Sequence, residues 1–311
     1  MHTRSQREAA RLLRSFAEVY FTNQPTGLKF RPRLFPLVVG PTGAGKSTLI
    51  ASTATVLEVP VFRVTYGDWL PRGVRTEAGE ATVLAILRAL DDAPRLILHI
   101  DELDKIREDY GTGWGRSVAN DIWNVLDGVL PVRDFLTGAK RPVTEESQAR
   151  LQRRIRDGLW IVGSGTWQGV FDAAERPSLG FAAAATVAPQ AEELAARIRA
   201  AEQIPAELLA RFATELVFVE YPKTKEEIRE LLDQSGLTAL AGEVGERIDL
   251  SPAHFRKVGF RCIESMAARL LVRRHLAQAT LAGAEVSVPM RLEMPETVVP
   301  TTLCAMAART T

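Results

Sequence analysis

The sequence predicts an α/β fold: a parallel β-sheet flanked by helices, followed by a small all-helical domain. Three observations predict it. A glycine-rich loop, Gly40-Pro41-Thr42-Gly43-Ala44-Gly45-Lys46-Ser47-Thr48, stands between an apolar run, Leu37-Val38-Val39, and a helical run beginning at Leu49. Short apolar strands then alternate with helical segments as far as Val219, the pattern of a parallel sheet with helices on its faces. Beyond residue 222 the strands stop and helices with their own start and stop signals take over.

Residues 1–27 read as a basic amphipathic helix with a turn cluster, Asn23-Gln24-Pro25-Thr26-Gly27, behind it. Arg4, Arg7, Arg11 and Arg14 recur at helical spacing, with Leu12, Phe16, Val19 and Tyr20 mostly opposite. Such a stripe is either an arm for phosphates or an acidic neighbour, or the solvated face of a helix packed on the core. The α/β domain is expected over residues 28–222.

The glycine-rich loop fits G-x-x-x-x-G-K-[ST], the loop of P-loop NTPases that wraps a nucleoside triphosphate. Its glycines let successive N–H groups turn inward on phosphate oxygens, and the following helix adds the positive end of its dipole. Gly40 to Thr48 would form the cradle, with Lys46 on the β/γ-phosphates and the Ser47 hydroxyl on Mg²⁺. ATP and Mg²⁺ are the expected cofactors.

A helix to about Leu57, the strand pattern Val59 to Val64 and a loop from Gly67 to Arg75 follow, then a helix from about Glu80 to Leu90. Leu96-Ile97-Leu98-His99-Ile100 runs into Asp101-Glu102, an apolar strand ending in two carboxylates about 55 residues after the phosphate loop. This is a Walker B pattern. Asp101 would hold Mg²⁺ and Glu102 would polarise the attacking water as general base. His99, one histidine among aliphatics, reads as core.

Trp114 to Leu130 reads as a helix stopped by Pro131. From Val132 to Asp157 the chain is rich in Arg and Lys, either a solvated helix from Thr144 or a loop lining a substrate channel. Leu159-Trp160-Ile161-Val162 is a fourth strand ending at Gly163-Ser164-Gly165-Thr166, which would put Ser164 beside the γ-phosphate. An alanine-rich helical stretch from Ala183 to Glu202, the segment Ile204 to Phe212 and a last strand, Leu216 to Val219, complete the domain.

Residues 223–284 form the expected helical lid. Thr224 and Glu227 make a capping box, Gly236 ends that helix, and Ser251-Pro252 opens another that would align Phe255, Val258, Cys262, Met266 and Leu270. Residues 285–311 read as a short strand and a loose Pro/Thr-rich tail.

Bulk properties bound the partners. A chain of 311 residues can bury a full core, and 46% hydrophobic and 25% charged residues with a net charge of +1 give no global field for nucleic acid or membrane. Cys262 and Cys304 lie outside any C-x-x-C, which fits a reducing cytoplasm and opposes a zinc module. No signal-peptide pattern or run of about 18 apolar residues occurs, so a cytoplasmic protein without a membrane partner is expected.

The layout of phosphate loop, acidic strand end, polar strand end, arginine before the last strand and helical lid resembles that of AAA+ ATPases. Asp101-Glu102-Leu103-Asp104-Lys105-Ile106 is similar to the D-E-[IL]-D-K-I stretch of the ClpX and HslU unfoldases, whose phosphate loop shares Gly40-Pro41-Thr42-Gly43. Leu159 to Gln168 resembles their sensor-1 strand, and Ile204-Pro205 through Leu208-Leu209-Ala210-Arg211-Phe212 their I-P-E-[LF]-x-G-R-L box. The resemblance covers residues 28–275. It implies a ring, usually a hexamer, with ATP at subunit interfaces and Arg211 as the arginine finger completing the neighbour's site. It also implies a lid arginine that senses nucleotide: Ala253 stands where the family's first arginine belongs, so Arg256 is the candidate and Arg261 the reserve. The aromatic pore loop of ClpX is replaced by Arg72-Gly73-Val74-Arg75, with Trp69 either gripping in its place or packing in the core, and no protease-docking tripeptide is recognisable.

Two functions compete. The first is an ATP-driven ring that remodels or threads a protein partner. The second is an AAA+ protein that assembles on nucleic acid, as helicase loaders and transposition regulators do, through Arg72, Arg75, the basic 133–156 segment and the N-terminal arginines. A small-molecule kinase would not need Glu102, an interface arginine or this lid, and Glu102 also opposes a pure nucleotide switch.

Overall fold

The structure, a computed structural model, describes residues 3–22, 32, 34–72, 80–175, 191–213 and 215–281. The expected pieces at Gly73-Val74-Arg75, in the first part of the alanine-rich stretch and in the 285–311 tail lie outside them. A five-stranded sheet is built from β1 (Leu37–Val39), β2 (Val61–Thr65), β3 (Leu96–Asp101), β4 (Leu159–Gly165) and β5 (Leu216–Phe218). Their order is β2-β3-β4-β1-β5 and every pairing is parallel. Each strand lies where its apolar run predicted one. β3 and β4 are buried along their whole length because helices cover both faces, which explains their near-continuous hydrophobicity; β2, at the edge, is largely open.

The period of two along each strand divides the core. Leu37, Val39, Leu98, Ile100 and Ile161 face one layer, made with α3 (Thr82–Asp92), α5 (Gly113–Leu126), α6 (Val132–Gly138), α7 (Glu145–Gly158) and α9 (Ala191–Ala200). Val38, Ile97, Trp160, Val162 and Val217 face the other, with α1 (Arg4–Thr22) and α2 (Lys46–Leu57). Shorter helices are α4 (Ile106–Asp109), α8 (Gln168–Glu175) and α10 (Ala206–Leu209). The α5 helix ends before Asp127, short of Pro131, because Gly128 takes a left-handed conformation, φ 74°, and turns the chain.

The N-terminal helix shares the sheet's core. Ala9, Leu13, Ala17, Tyr20 and Phe21 are buried against β4, β5 and α2, and the Tyr20 hydroxyl donates to the Leu159 carbonyl at 2.6 Å. The small residues Ala9 and Ala17 allow close approach, so the buried stripe is rotated from the bulky one expected and Val19 stays about half exposed. The arginines form the solvated face: Arg4 pairs with Glu8, Arg14 with Glu18, and Arg7 reaches Glu230 at 2.9 Å.

The basic segment is also internally paired. Arg150 and Arg154 approach Asp91 Oδ1 at 3.2 and 3.8 Å, and Arg141 pairs with Oδ2 of the same carboxylate, whose side chain is only 3% exposed. These guanidiniums tie α7 and the loop before it to the end of α3, where Arg154 also donates to the Leu90 carbonyl at 3.0 Å.

After β5 come α11 (Lys225–Gln234), α12 (Leu237–Glu243), α13 (Pro252–Val258) and α14 (Arg261–Leu281). They enclose their own core of Ile228, Leu231, Leu237, Phe255, Ile263 and Leu270. The helix expected to run on from Ser251 breaks at Gly259, φ 68°, which resets the helical phase. Val258 is therefore exposed and Ile263 enters the core instead. Thr224 caps α11 by accepting from Glu227 N, while the Glu227 carboxylate takes Lys223 N, one residue earlier than the expected box. Among the described residues no helix is long and apolar enough to cross a membrane.

Candidate functional site

β1 ends in the phosphate loop, whose glycines are required by backbone geometry. A Cβ on Gly40 would lie 2.1 Å from the Val219 carbonyl oxygen, and Gly43 and Gly45 have φ of 74° and 90°. No side chain caps α2, so its N-terminal dipole end opens on the loop. Lys46 curls back, donating to the carbonyls of Gly40 at 2.7 Å and Pro41 at 3.0 Å. Burial lowers its pKa to about 8, against the raising influence of Asp101 and Asp104. An ammonium held by loop carbonyls, inside a cradle whose glycines leave no room for side chains, fits a triphosphate.

That value has a consequence for nucleotide binding. Below pH 8 the free protein carries the Lys46 ammonium; above it the amine is neutral and must take up a proton to pair with phosphate. ATP affinity should fall by up to about tenfold per pH unit above 8, with proton uptake seen by calorimetry in buffers of different ionisation enthalpy. Lys46→Arg, charged throughout, should show no uptake.

The acidic end of β3 lies across β4 from the loop, because β4 is inserted between β1 and β3. Asp101 Oδ2 accepts from Ser47 Oγ at 3.2 Å, and from the half-exposed Arg63 guanidinium at 2.7 Å. Its Oδ1 accepts from Ser164 Oγ at 2.5 Å and from Glu102 N at 3.0 Å. Burial works against ionisation of Asp101, but these donors and the nearby His99 outweigh it and hold the carboxyl below its usual value. The chain turns at Glu102 with φ 62°, a strained conformation for this residue, and its carboxylate pairs with Lys105 at 2.9 Å.

Residues 36–157, from before β1 through most of α7, match the model of the ATPase family associated with various cellular activities (AAA). These residues form an AAA+ ATPase core. Such a domain implies ATP hydrolysis and use of ATP with Mg²⁺, and Lys46, Ser47, Asp101 and Glu102 all lie within the matched stretch.

Ser164, expected beside the γ-phosphate, lies beyond the matched residues and turns its hydroxyl to the end of β3. Its side chain is fully buried, in register with Val38, with its hydroxyl between Asp101 and His99 Nε2, the latter at 2.8 Å. The residues after it stand further out. Thr166 Oγ1 donates to Asp104 at 2.7 Å, and Gln168 Oε1 accepts Thr42 N of the phosphate loop at 3.2 Å. Arg211 makes a bidentate pair with Asp127 at 2.8 and 2.7 Å, donates to the Glu207 carbonyl, and lies over the Trp123 ring. No hydrogen bond links it to the described phosphate-loop residues. Arg256 and Arg261 are exposed on either side of the Gly259 turn.

That turn docks on the AAA+ phosphate loop. Phe260 N donates to the Gly43 carbonyl at 2.8 Å and the Tyr221 hydroxyl donates to the Thr42 carbonyl. A Cβ on Gly259 would lie 2.7 Å from Gly43 Cα. Gly259→Ala should thus push the lid off the loop and destabilise the protein by about 1–3 kcal/mol, read by urea unfolding. An unchanged midpoint would mean that this contact is not maintained in solution.

Sequence reasoning missed Arg63, Gln168 and the lid backbone, and assigned His99 to the core alone. A signal existed for two of them. His99 and Asp101 alternate onto one face of β3, and Arg63 is the register partner of His99 on β2. Trp69 is fully buried, so of its two expected roles it has the packing one.

Proposed function

We propose that this chain hydrolyses ATP at interfaces between subunits of a ring related to the ClpX/HslU group, and uses the resulting lid motion to remodel or thread a protein partner. The observation that carries this reading is the lid turn seated on the phosphate loop through Phe260 N and Gly43 O at 2.8 Å. A loop that adjusts to a triphosphate would carry that contact with it, coupling nucleotide state to the orientation of α11–α14.

Within the site, Lys46 and the open end of α2 would bind phosphates, and Ser47 and Asp101 would hold Mg²⁺. Bound Mg²⁺ supplies neutralisation of the charge developing on the transferred phosphoryl group. Glu102, released from Lys105, would orient and deprotonate the attacking water. Because Arg211 bonds away from its own chain's loop, it is a candidate to complete a neighbour's site after leaving Asp127. Arg256 and Arg261 flank the lid turn and are the candidates for reading bound nucleotide.

The nucleic-acid reading loses support from the charge pairing. Arg141, Arg150 and Arg154 share Asp91, Arg72 lies beside Asp121 at 3.5 Å, and Arg4, Arg7 and Arg14 are bonded to glutamates. The deciding experiment measures ATPase rate against protein concentration with an unfolded polypeptide or DNA added. Specific activity that rises with concentration and with polypeptide is expected. Stimulation by DNA alone, falling steeply with salt, would replace this reading with assembly on nucleic acid.

A further inference from the structure

The buried histidine of β3 is a polar group of the site to which the hydrolysis scheme gives no task. His99 is 1% exposed and Ser164 is fully buried, and both point to the α1/α2 side of the sheet with Asp101. Their hydrogen bonds can have only one direction. The Ser164 hydroxyl carries a single proton, and the ionised Asp101 carboxylate accepts only, so the 2.5 Å contact sends that proton to Asp101 Oδ1. The 2.8 Å contact between His99 Nε2 and Ser164 Oγ must then be N–H donating to oxygen. His99 Nε2 therefore carries a proton and stands at the head of a relay of donors that ends on Oδ1.

The two oxygens of Asp101 differ in consequence. Oδ1 is held by Ser164, on strand β4, and by Glu102 N, in the turn that follows β3. Oδ2 faces Ser47, whose side chain belongs to the phosphate loop, and Arg63, whose guanidinium is half exposed and free to be displaced. We propose that His99 is a positioning residue for the metal carboxylate: by donating to Ser164 it commits the serine proton to Asp101 Oδ1 and keeps Oδ2 turned toward Ser47 and the incoming cation. This rests on the ATP·Mg²⁺ reading of the site. An aliphatic residue at position 99 would leave the buried Ser164 oxygen without its donor and release the hydroxyl to rotate. Glutamine, whose amide N–H reaches about as far as Nε2–H, would preserve the relay.

Two measurements on the full chain test it. Long-range ¹H–¹⁵N correlation of the histidine rings, without nucleotide, should give the Nε2–H tautomer for His99 with a slowly exchanging proton that Ser164→Ala makes fast. The Nδ1–H tautomer would overturn the relay. Binding of a fluorescent ATP analogue titrated with Mg²⁺ should then show a half-saturating Mg²⁺ concentration raised about 3–10-fold in His99→Leu and within twofold of wild type in His99→Gln, with affinity in EDTA the same in all three. Equal Mg²⁺ dependence in wild type and a folded His99→Leu would overturn the positioning role. Should His99→Leu fail to fold, Ser164→Ala replaces it with the same expected shift. Failure of wild type to bind the analogue at all would instead defeat the ATPase reading, and the tautomer would still decide the relay.

Discussion

Replacing Arg211 by alanine should lower ATP turnover by about 10³–10⁵-fold, the range found when an arginine finger is removed. The bidentate pair with Asp127 makes this prediction sharp, because it separates two roles for one side chain. As a partly exposed ion pair, Arg211–Asp127 contributes at most about 1 kcal/mol, so its loss should barely move the melting temperature. As a finger, the same residue governs the rate. Mixing Arg211→Ala chains with Lys46→Ala chains should restore activity, to about a quarter of wild type for random equimolar mixing in a head-to-tail ring. Each restored site would pair an intact Lys46 with an intact Arg211 from the adjacent subunit. Failure to recover activity at any ratio would sink the finger assignment, and Arg211 would then be only the partner of Asp127.

Glu102→Gln should reduce turnover by about 10²–10⁴-fold while ATP remains bound, since the amide keeps the size of the side chain but cannot accept a proton. Filter binding should show ATP trapped on the variant, and single-turnover kinetics should show no burst of product. The same substitution removes the charge that Lys105 pairs with at 2.9 Å. That pair is half exposed, so the stability change should stay small. A variant that turns over ATP normally would move the general-base role to another group, with Asp104, two positions on, the next carboxylate to test.

The strands and the phosphate loop were legible because their signals are local. Apolar runs of the right length mark β1 to β5, and the spacing of Gly40, Gly45, Lys46 and Ser47 carries its own geometry. Helix ends were less legible where one glycine decides: Gly128 ends α5 early and Gly259 divides α13 from α14. Side-chain partners across the fold were not legible at all. Asp91 gathers arginines from 50 to 63 positions downstream, and Arg211 finds Asp127 on another element.

By itself the sequence determined which groups are present and in what local setting: a glycine-rich loop between strand and helix, a lysine and a hydroxyl at its end, two carboxylates at a strand end, and a run of helices after the last strand. Spacing along the chain suffices for that, because each motif is built within a few residues by backbone sterics and hydrogen bonding. Only the tertiary structure decided how those groups are held. Parallel registration of β2, β3 and β4 brings Arg63, His99, Asp101 and Ser164 onto one face, and the fold of the lid sets Phe260 on Gly43. Such contacts join residues tens to hundreds of positions apart, whose meeting depends on strand order and packing, and no local pattern encodes either.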